Sequence, residues 1–354
     1  MKKMLVLAAV ALATTPAFAS KARLSALQSV NHITDTRDVL SRPDQALAHG
    51  EFATLEVGPT ATATRNAEGG FVRKLGDNSA MGAYLGNKLG VGHSAMGLSA
   101  SYTYTIQNPL NLYYANKMGD MSWGLGLQYS ASENKIAKNK SAVMGLVASA
   151  TSSTWNAEVN LGLTGEATIA DTTKVEQSSP LSISGGYNLD SLYIYGGYEM
   201  LGAKTKVSGT GTADAEKTTM KVGVIDHFSK DGAHFFYGAE YNSTVTKEKT
   251  LAPKNKTETT KLPILVGIEA EAASWLVIRG SIKQSVLMAS TKTTPDGAAA
   301  TTDKSLEDDT VVAGGMGVKL GKFTIDGTLA GAGASQLGLD GNNFMADLGI
   351  TYKF

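Results

Sequence analysis

The sequence predicts an all-β chain in which about sixteen strands close antiparallel into a barrel that spans a membrane. Three observations carry this prediction. The carboxyl-terminal stretch alternates apolar and polar residues down to its last residue, the amino-terminal stretch reads as an export signal, and the connections between strands alternate between short and long.

The export signal comes first in the chain. Met1-Lys2-Lys3 is basic, Met4 to Thr14 is apolar, and Pro16-Ala17-Phe18-Ala19 ends in the small-x-small pattern that signal peptidase cuts. Residues 1–19 are therefore expected to be a signal peptide with no part in the fold. The apolar run is shorter than the roughly 20 residues that a spanning helix needs. A lipoprotein anchor is excluded because the chain has 0 Cys to acylate, and the same absence excludes a disulfide scaffold and a thiolate metal site.

Composition bounds the rest. Lys and Arg total 32 against 32 Asp and Glu, and loss of Lys2 and Lys3 with the signal leaves the remainder close to neutral, so nothing points to nucleic acid. No later apolar run reaches spanning length. With 39 Gly and many Thr, Ser, Tyr and Val, the chain is prone to strands and turns.

Residues 20–49 show no strand alternation. They read as a lead-in or plug segment before the barrel, with a short helix around Arg23-Leu24-Ser25-Ala26-Leu27 and a turn before Pro43. The barrel is assigned to residues 50–354. Its strands are expected at about 53–57, 70–75, 79–86, 112–117, 121–131, 141–150, 154–166, 180–188, 191–205, 217–227, 234–246, 258–269, 274–288, 310–319, 322–331 and 343–354. The clearest are 121–131, where Met121, Trp123, Leu125, Leu127 and Tyr129 alternate with small and polar residues, and 154–166. Short links at 76–78, 118–120, 151–153, 189–190, 228–233, 270–273 and 320–321 alternate with polar ones at 60–69, 87–110, 132–140, 167–179, 206–216, 247–257, 289–309 and 332–342. Short periplasmic turns and long external loops are the habit of bacterial barrels, and an even strand count puts both termini on one side. Counts of fourteen and eighteen also fit this pattern, because strand boundaries are read only to within a few residues.

In the last strand Phe344, Ala346, Leu348, Ile350, Tyr352 and Phe354 alternate with mostly polar or small residues. This end resembles the C-terminal strand of Gram-negative outer-membrane β-barrels of the general porin type, where a final Phe follows aromatic or apolar residues at alternate positions. The resemblance covers the signal, the last strand and the general pattern. It implies residence in the cell outer membrane, contact with the lipid bilayer and lipopolysaccharide, and a homotrimer. The arrangement of residues 20–49 resembles the lead of fatty-acid-channel barrels, where such a segment plugs the lumen.

Alternation also sorts the side chains. Leu192, Ile194, Met200, Met220, Val222, Val224, Leu262, Ile264, Val266, Ile268, Leu276, Ile278 and Ile282 are expected to face lipid, and Tyr129, Tyr187, Tyr198, Tyr241, Tyr352 and Phe354 to sit in interfacial girdles. The opposite face carries Glu56, Glu158, Glu199, Lys221, Glu240, Glu269, Arg279, Lys283, Lys319, Asp326, Asp347 and Lys353. So many ionisable groups packed dry would each cost several kcal/mol, which implies a wet lumen. Glu158, Glu199, Lys221, Glu240, Arg279, Lys283, Lys319 and Asp326 are the expected pore-lining residues. Acids along 158–240 and bases along 279–319 imply, by the resemblance to general porins, a field across the lumen. The segment 87–110 is long, fairly apolar and rich in small residues; it is a candidate for an inward loop that narrows the pore, or for a lid over its mouth.

Enzyme chemistry finds little support. The 5 His, at 32, 49, 93, 227 and 234, show no ligand spacing, G-x-S-x-G is absent, and no metal motif or cofactor motif occurs. Outer-membrane proteases and phospholipases resemble the chain in export and final Phe, but they have fewer strands and pair a rim His with Ser or Asp. His93 is the one His in an expected outer loop, without a partner pattern. The expectation is a non-enzymatic porin that passes small hydrophilic solutes and ions by passive diffusion. Two alternatives are a fatty-acid-type transporter of hydrophobic compounds with residues 20–49 as plug, and a structural or adhesive surface barrel.

Overall fold

Strict alternation leaves each strand with one apolar and one polar face, and the chain satisfies both by closing a single antiparallel sheet around a lumen. The structure, a computed structural model, describes residues 20–59, 65–87, 90–99, 108–178, 180–209, 211–249, 254–295, 300–303, 310–332 and 347–354. The expected signal peptide 1–19 and residues 333–346, which span most of the expected loop 332–342 and the first part of the expected last strand, lie outside the described residues.

The strands are β1 (Phe52–Pro59), β2 (Arg65–Lys74), β3 (Ser79–Leu85), β4 (Leu110–Met118), β5 (Met121–Asn134), β6 (Asn139–Thr151), β7 (Trp155–Ile169), β8 (Thr173–Gln177), β9 (Leu181–Leu189), β10 (Leu192–Val207), β11 (Gly211–Lys230), β12 (Ala233–Lys249), β13 (Lys254–Ala273), β14 (Leu276–Pro295), β15 (Thr301–Asp303), β16 (Val311–Leu320), β17 (Phe323–Ala332) and β18 (Asp347–Lys353). They form one 18-stranded sheet in which chain neighbours pair, apart from β8 with β9 and β15 with β16, and β1 pairs with β18 from Phe52↔Lys353 to Val57↔Leu348. β8 and β9 both lie between β7 and β10, and β15 and β16 both pair with β14. Each of these two pairs is one interrupted stave, so the barrel has sixteen staves. The first break falls before Pro180, whose ring nitrogen has no hydrogen to give to a ladder.

Closure removes every edge, and in hydrocarbon a closed antiparallel sheet pairs its whole backbone internally. The outward set is as the alternation predicts. Leu125 is 53% exposed, Val222 52% and Val266 50%, and Ile194, Met220, Ile264, Ile278 and Ile282 are exposed beside them. Toward the short-turn end Phe228 stacks on Phe235 with ring centroids 5.4 Å apart, Phe323 packs on Tyr352 at 4.7 Å, and Tyr352 meets Phe354 edge-on at 5.3 Å.

The short turns are tighter than the sequence suggests. The β11–β12 turn is Asp231-Gly232 alone, not 228–233, with φ of 51° and 79°. Two successive positive φ values are what a two-residue hairpin turn demands, and Asp-Gly meets them at low steric cost. On the other side the expected polar loops at 206–216 and 247–257 are largely strand. β10 and β11 remain paired to Val207↔Gly211, and β12 and β13 to Lys249↔Lys254. There both faces meet water, so Lys, Thr and Glu occupy both, and no apolar period marks the strand. The expected loop 60–69 is likewise shortened, because β2 begins at Arg65.

Candidate functional site

Three short helical turns precede the barrel and lie within its lumen. They are a helix at Lys21–Ala26, a 3₁₀ turn at Thr36–Leu40 and a helix at Gln45–His49. The 3₁₀ turn starts with a capping box: Arg37 N–H donates to the Asp35 carboxylate at 3.1 Å, and Asp35 N–H donates to Asp38 at 2.8 Å.

The segment is tied to inward-facing side chains around the wall. Arg23 donates both arms of its guanidinium to Glu269 on β13, at 2.7 and 2.8 Å, and Glu269 also accepts from Arg279 on β14 at 2.6 Å. Arg279 continues to Asp326 on β17 at 2.6 Å. Arg37 reaches Glu56 on β1 at 2.6 Å and Glu68 on β2 at 2.9 Å, and Tyr84 donates to Glu56. Lys21 lies near Glu68 and Asp347. Farther round, Arg42 donates to Thr151 at 2.9 Å, and the Asp44 N–H to Ser149 at 3.1 Å. Small wall residues let the backbone approach: a side chain at Gly124 would collide with Pro43 and Asp44, one at Gly315 with Ala26, and one at Gly349 with Ser20.

Apolar packing reinforces these ties. Leu27, Val30 and Ile33 pack against Tyr193, Tyr195, Ile225 and Phe236, while Val39, Leu40 and Ala46 pack against Phe52, Val72, Tyr84, Tyr113 and Ala115. Burial works against the Arg37 charge, yet Glu56 and Glu68 hold its pKa above the ordinary value. Asp35 is pushed up by burial, as is Asp38, to about 6.

A second segment enters from the other side. Of residues 87–110, those at 88–89 and 100–107 lie outside the described residues. The described part forms a helix, Val91–Met96, whose Met96 packs on Val143, Ala167, Val175 and Ala203, with Val91 and Ala95 against Leu201. Ser99 hydrogen-bonds Thr205 at 2.5 Å. The side chain of His93 is outside the described set.

Between the N-terminal segment and the wall lies a cavity of about 390 Å³. Gln28, Ser29, Val30 and Asn31 of the N-terminal segment line it, together with Glu158, Glu199, Lys221, Glu240 and Lys283 from the wall. Ser184 donates to Glu158 at 2.6 Å and Tyr195 to Glu240 at 2.9 Å. The structure thus brings together five of the eight residues expected to line a pore. Arg279 and Asp326 are placed elsewhere, 3% and 0% exposed beneath the helix Lys21–Ala26. Lys319 sits at the short-turn end, paired with Glu271 at 2.6 Å. The expected segregation of acids from bases is also corrected. Lys221 on β11 stands between Glu199 on β10 and Glu240 on β12, so the signs interleave; these strands are consecutive in the chain, and Lys221 breaks the acidic run 158–240 in sequence as it does across the sheet.

A closed sixteen-stave sheet with an apolar exterior and ionisable groups inside has one setting. The chain is an outer-membrane β-barrel. No protein-family profile matches it, and no curated protein is similar in sequence. Solved structures similar to it include OmpT, an outer membrane protein of Vibrio cholerae in a trimer form, at 12% identity and TM-score 0.40 over 86% of this chain and 98% of that one. A bacterial polysaccharide outer membrane secretin matches at 7% identity and TM-score 0.45, over 86% and 97% of the two chains. The translocator domain of the autotransporter NalP from Neisseria meningitidis matches at 12% identity and TM-score 0.32, over 89% and 99%.

One cluster was not legible in the sequence. His32 of the N-terminal segment meets His227 on β11 and His234 on β12, with ring centroids 5.1 and 5.4 Å away. Spacing along the chain gives no hint of a contact between a lumen segment and a wall hairpin some 200 residues later. Among the described residues, no group of three His, Asp or Glu stands in a metal-ligating arrangement.

Proposed function

We propose that the protein is a gated outer-membrane channel for small hydrophilic solutes and ions. Solutes enter a charged vestibule from outside and pass through when residues 20–49 leave the lumen. The observation that carries this reading is the vestibule itself: its wall bears Glu158, Glu199, Lys221, Glu240 and Lys283, while its floor is made by residues 28–31 of the N-terminal segment. A wall so charged holds water and exchanges hydration for polar contacts with a solute. At about sixteen strands the bare lumen is wide enough for an aqueous channel. What narrows it here is the chain's own N-terminal segment, assisted by the helix Val91–Met96.

This adds a gate to the expected passive-diffusion porin. The placement of residues 20–49 also favours a second reading, the plugged transporter of hydrophobic compounds, but the ionisable lining of the vestibule offers an apolar molecule little surface. Single-channel conductance in planar bilayers tests the proposal. The mature protein is expected to conduct rarely and in brief openings, and a form lacking residues 20–49 to conduct steadily and ohmically. Equal, steady conductance of both forms would sink the gate, and no conductance from the shortened form would sink the channel.

A further inference from the structure

We propose that His32, His227 and His234 form a proton-sensitive latch, which holds the N-terminal segment to the β11–β12 hairpin while the rings are neutral and loosens it as they take up protons. The proposal rests on reading residues 20–49 as the gate, and it adds what would operate that gate.

The geometry requires at least one neutral imidazole in the pair. Nε2 of His32 lies 3.1 Å from Nε2 of His234, so one ring must donate and the other accept. A proton on the accepting nitrogen turns it into another donor, so two N–H groups face each other and the hydrogen bond is lost; with both rings protonated, two like charges meet as well. His227 completes the triangle, stacked on His32 at an interplanar angle of 22° and lying 5.5 Å from His234. Ser229 occupies Nδ1 of His234 at 3.0 Å, which leaves Nε2 as that ring's only free nitrogen, aimed at the segment. Nδ1 of His32 is buried without a hydrogen-bond partner, so the site offers nothing to stabilise a proton there.

The charged surroundings add no counter-charge to spare. Arg23, on the same segment, is a fixed cation nearby, and Asp35 lies 3.8 Å from it. Glu269 on β13 is already engaged by both Arg23 and Arg279, and Asp326 is engaged by Arg279. Burial, then the His234 and His227 rings, pull the pKa of His32 down to about 3.

The sign of the linkage follows. A histidine whose pKa is lower when docked than when released favours docking above its released value, about 6.5, and disfavours it increasingly as pH falls from there. For His32 alone the shift toward release between pH 7 and pH 5 is about twentyfold. Asp35 and Asp38 work in the opposite direction. Their buried carboxyls take protons more readily when docked, so in the same window they favour docking. The quantity that isolates the latch is therefore the difference between the wild-type chain and His32→Gln.

Because the chain has 0 Cys, a single nitroxide label at Ser29→Cys, exposed on the vestibule floor, reports the segment's mobility without interference. The mobile fraction is measured from pH 7 to pH 5 with His32 present and with His32→Gln, alongside bilayer conductance of the same proteins and of the form lacking residues 20–49. The expected result is an acid-dependent release relative to docking that is about twentyfold greater with His32 than with Gln, while the shortened form conducts alike at both pH values. The same acid response in both backgrounds would overturn the latch. A His32-dependent release without any rise in conductance would uphold the latch and sink the gate. His234→Gln provides the second variant should His32→Gln fail to dock, since it removes the same pair from the wall side.

Discussion

The two halves of the lumen follow opposite physical rules. On the short-turn side buried charges are paired across strands: Arg23 and Arg279 share Glu269, Arg279 holds Asp326, and Arg37 holds Glu56 and Glu68. On the outer side Glu199, Lys221 and Lys283 line the vestibule half-buried, within reach of water. Both halves are built from inward positions of the wall, and β14 contributes to both, Arg279 to the first and Lys283 to the second. What separates them is coverage by residues 20–49, and with it the cost of each ion. Buried ions must be paired or pay several kcal/mol each, whereas wet ones are nearly free. A dry half that must be matched group for group is a natural stop, and a wet half with unmatched charges is a natural approach to it.

The largest effect should come from unpairing the dry half. Arg37→Ala leaves Glu56 and Glu68, 1% and 7% exposed, without their shared cation, and should cost about 3–5 kcal/mol. The loss should appear in docking and not in the barrel: denaturant releases the segment earlier, by label mobility, while the strand signal of the barrel melts as before. If barrel and segment melt together in the wild type and shift together in the variant, the two halves are one cooperative unit and the contrast is weaker than drawn.

Next comes the apolar contribution. Leu27 is fully buried against Tyr193, Tyr195, Ile225 and Phe236, and Leu27→Ala should weaken docking by roughly 2–5 kcal/mol. In bilayers the same variant should open more often than the wild type at neutral pH. Smaller still is the effect of steric exclusion. A valine at Gly124 meets the backbone of Pro43 and Asp44 and should cost about 1–3 kcal/mol, read as loss of protection from hydrogen exchange at the amides of Asp44 and Gln45. Unchanged exchange there would show that the wall gives way instead.

How much of this could be read in the sequence follows from the same division. The alternation in Met121–Asn134 or Leu192–Val207 reports which face of a strand a residue occupies, because a lipid-facing side chain must be apolar. Sixteen staves and the inward position of Glu158, Asp326 and Arg279 were legible for that reason. Period alone does not report what an inward residue meets, so Arg279 and Glu199 read alike, although one is sealed under a helix and the other faces a cavity. The polar strand ends leading up to Val207 and Lys249 escaped for a related reason: with water on both faces, nothing selects an alternating pattern. The segment 20–49 carried the least signal, since its three short turns are held by partners on distant strands rather than by a period of their own.

The smallest expected effect on stability is the sharpest test of the wet half. Lys221 is half-buried in the vestibule wall between Glu199 and Glu240, and it forms neither a hydrogen bond nor an ion pair among the described contacts. Lys221→Gln should therefore change the unfolding free energy by no more than about 0.5 kcal/mol. Its effect should fall on permeation. With Lys221 gone, Lys283 is the one cation left among the vestibule's named charges, against Glu158, Glu199 and Glu240, so the local potential turns more negative. In a barrel opened by removal of residues 20–49, the reversal potential in a salt gradient should move toward cation preference, most at low ionic strength, where a charge is felt beyond about 10 Å. Glu199→Gln should move it the other way. A Lys221→Gln barrel that loses several kcal/mol of stability while its selectivity stays fixed would show that the outer charges are structural after all, and that both halves of the lumen obey the rule of the dry one.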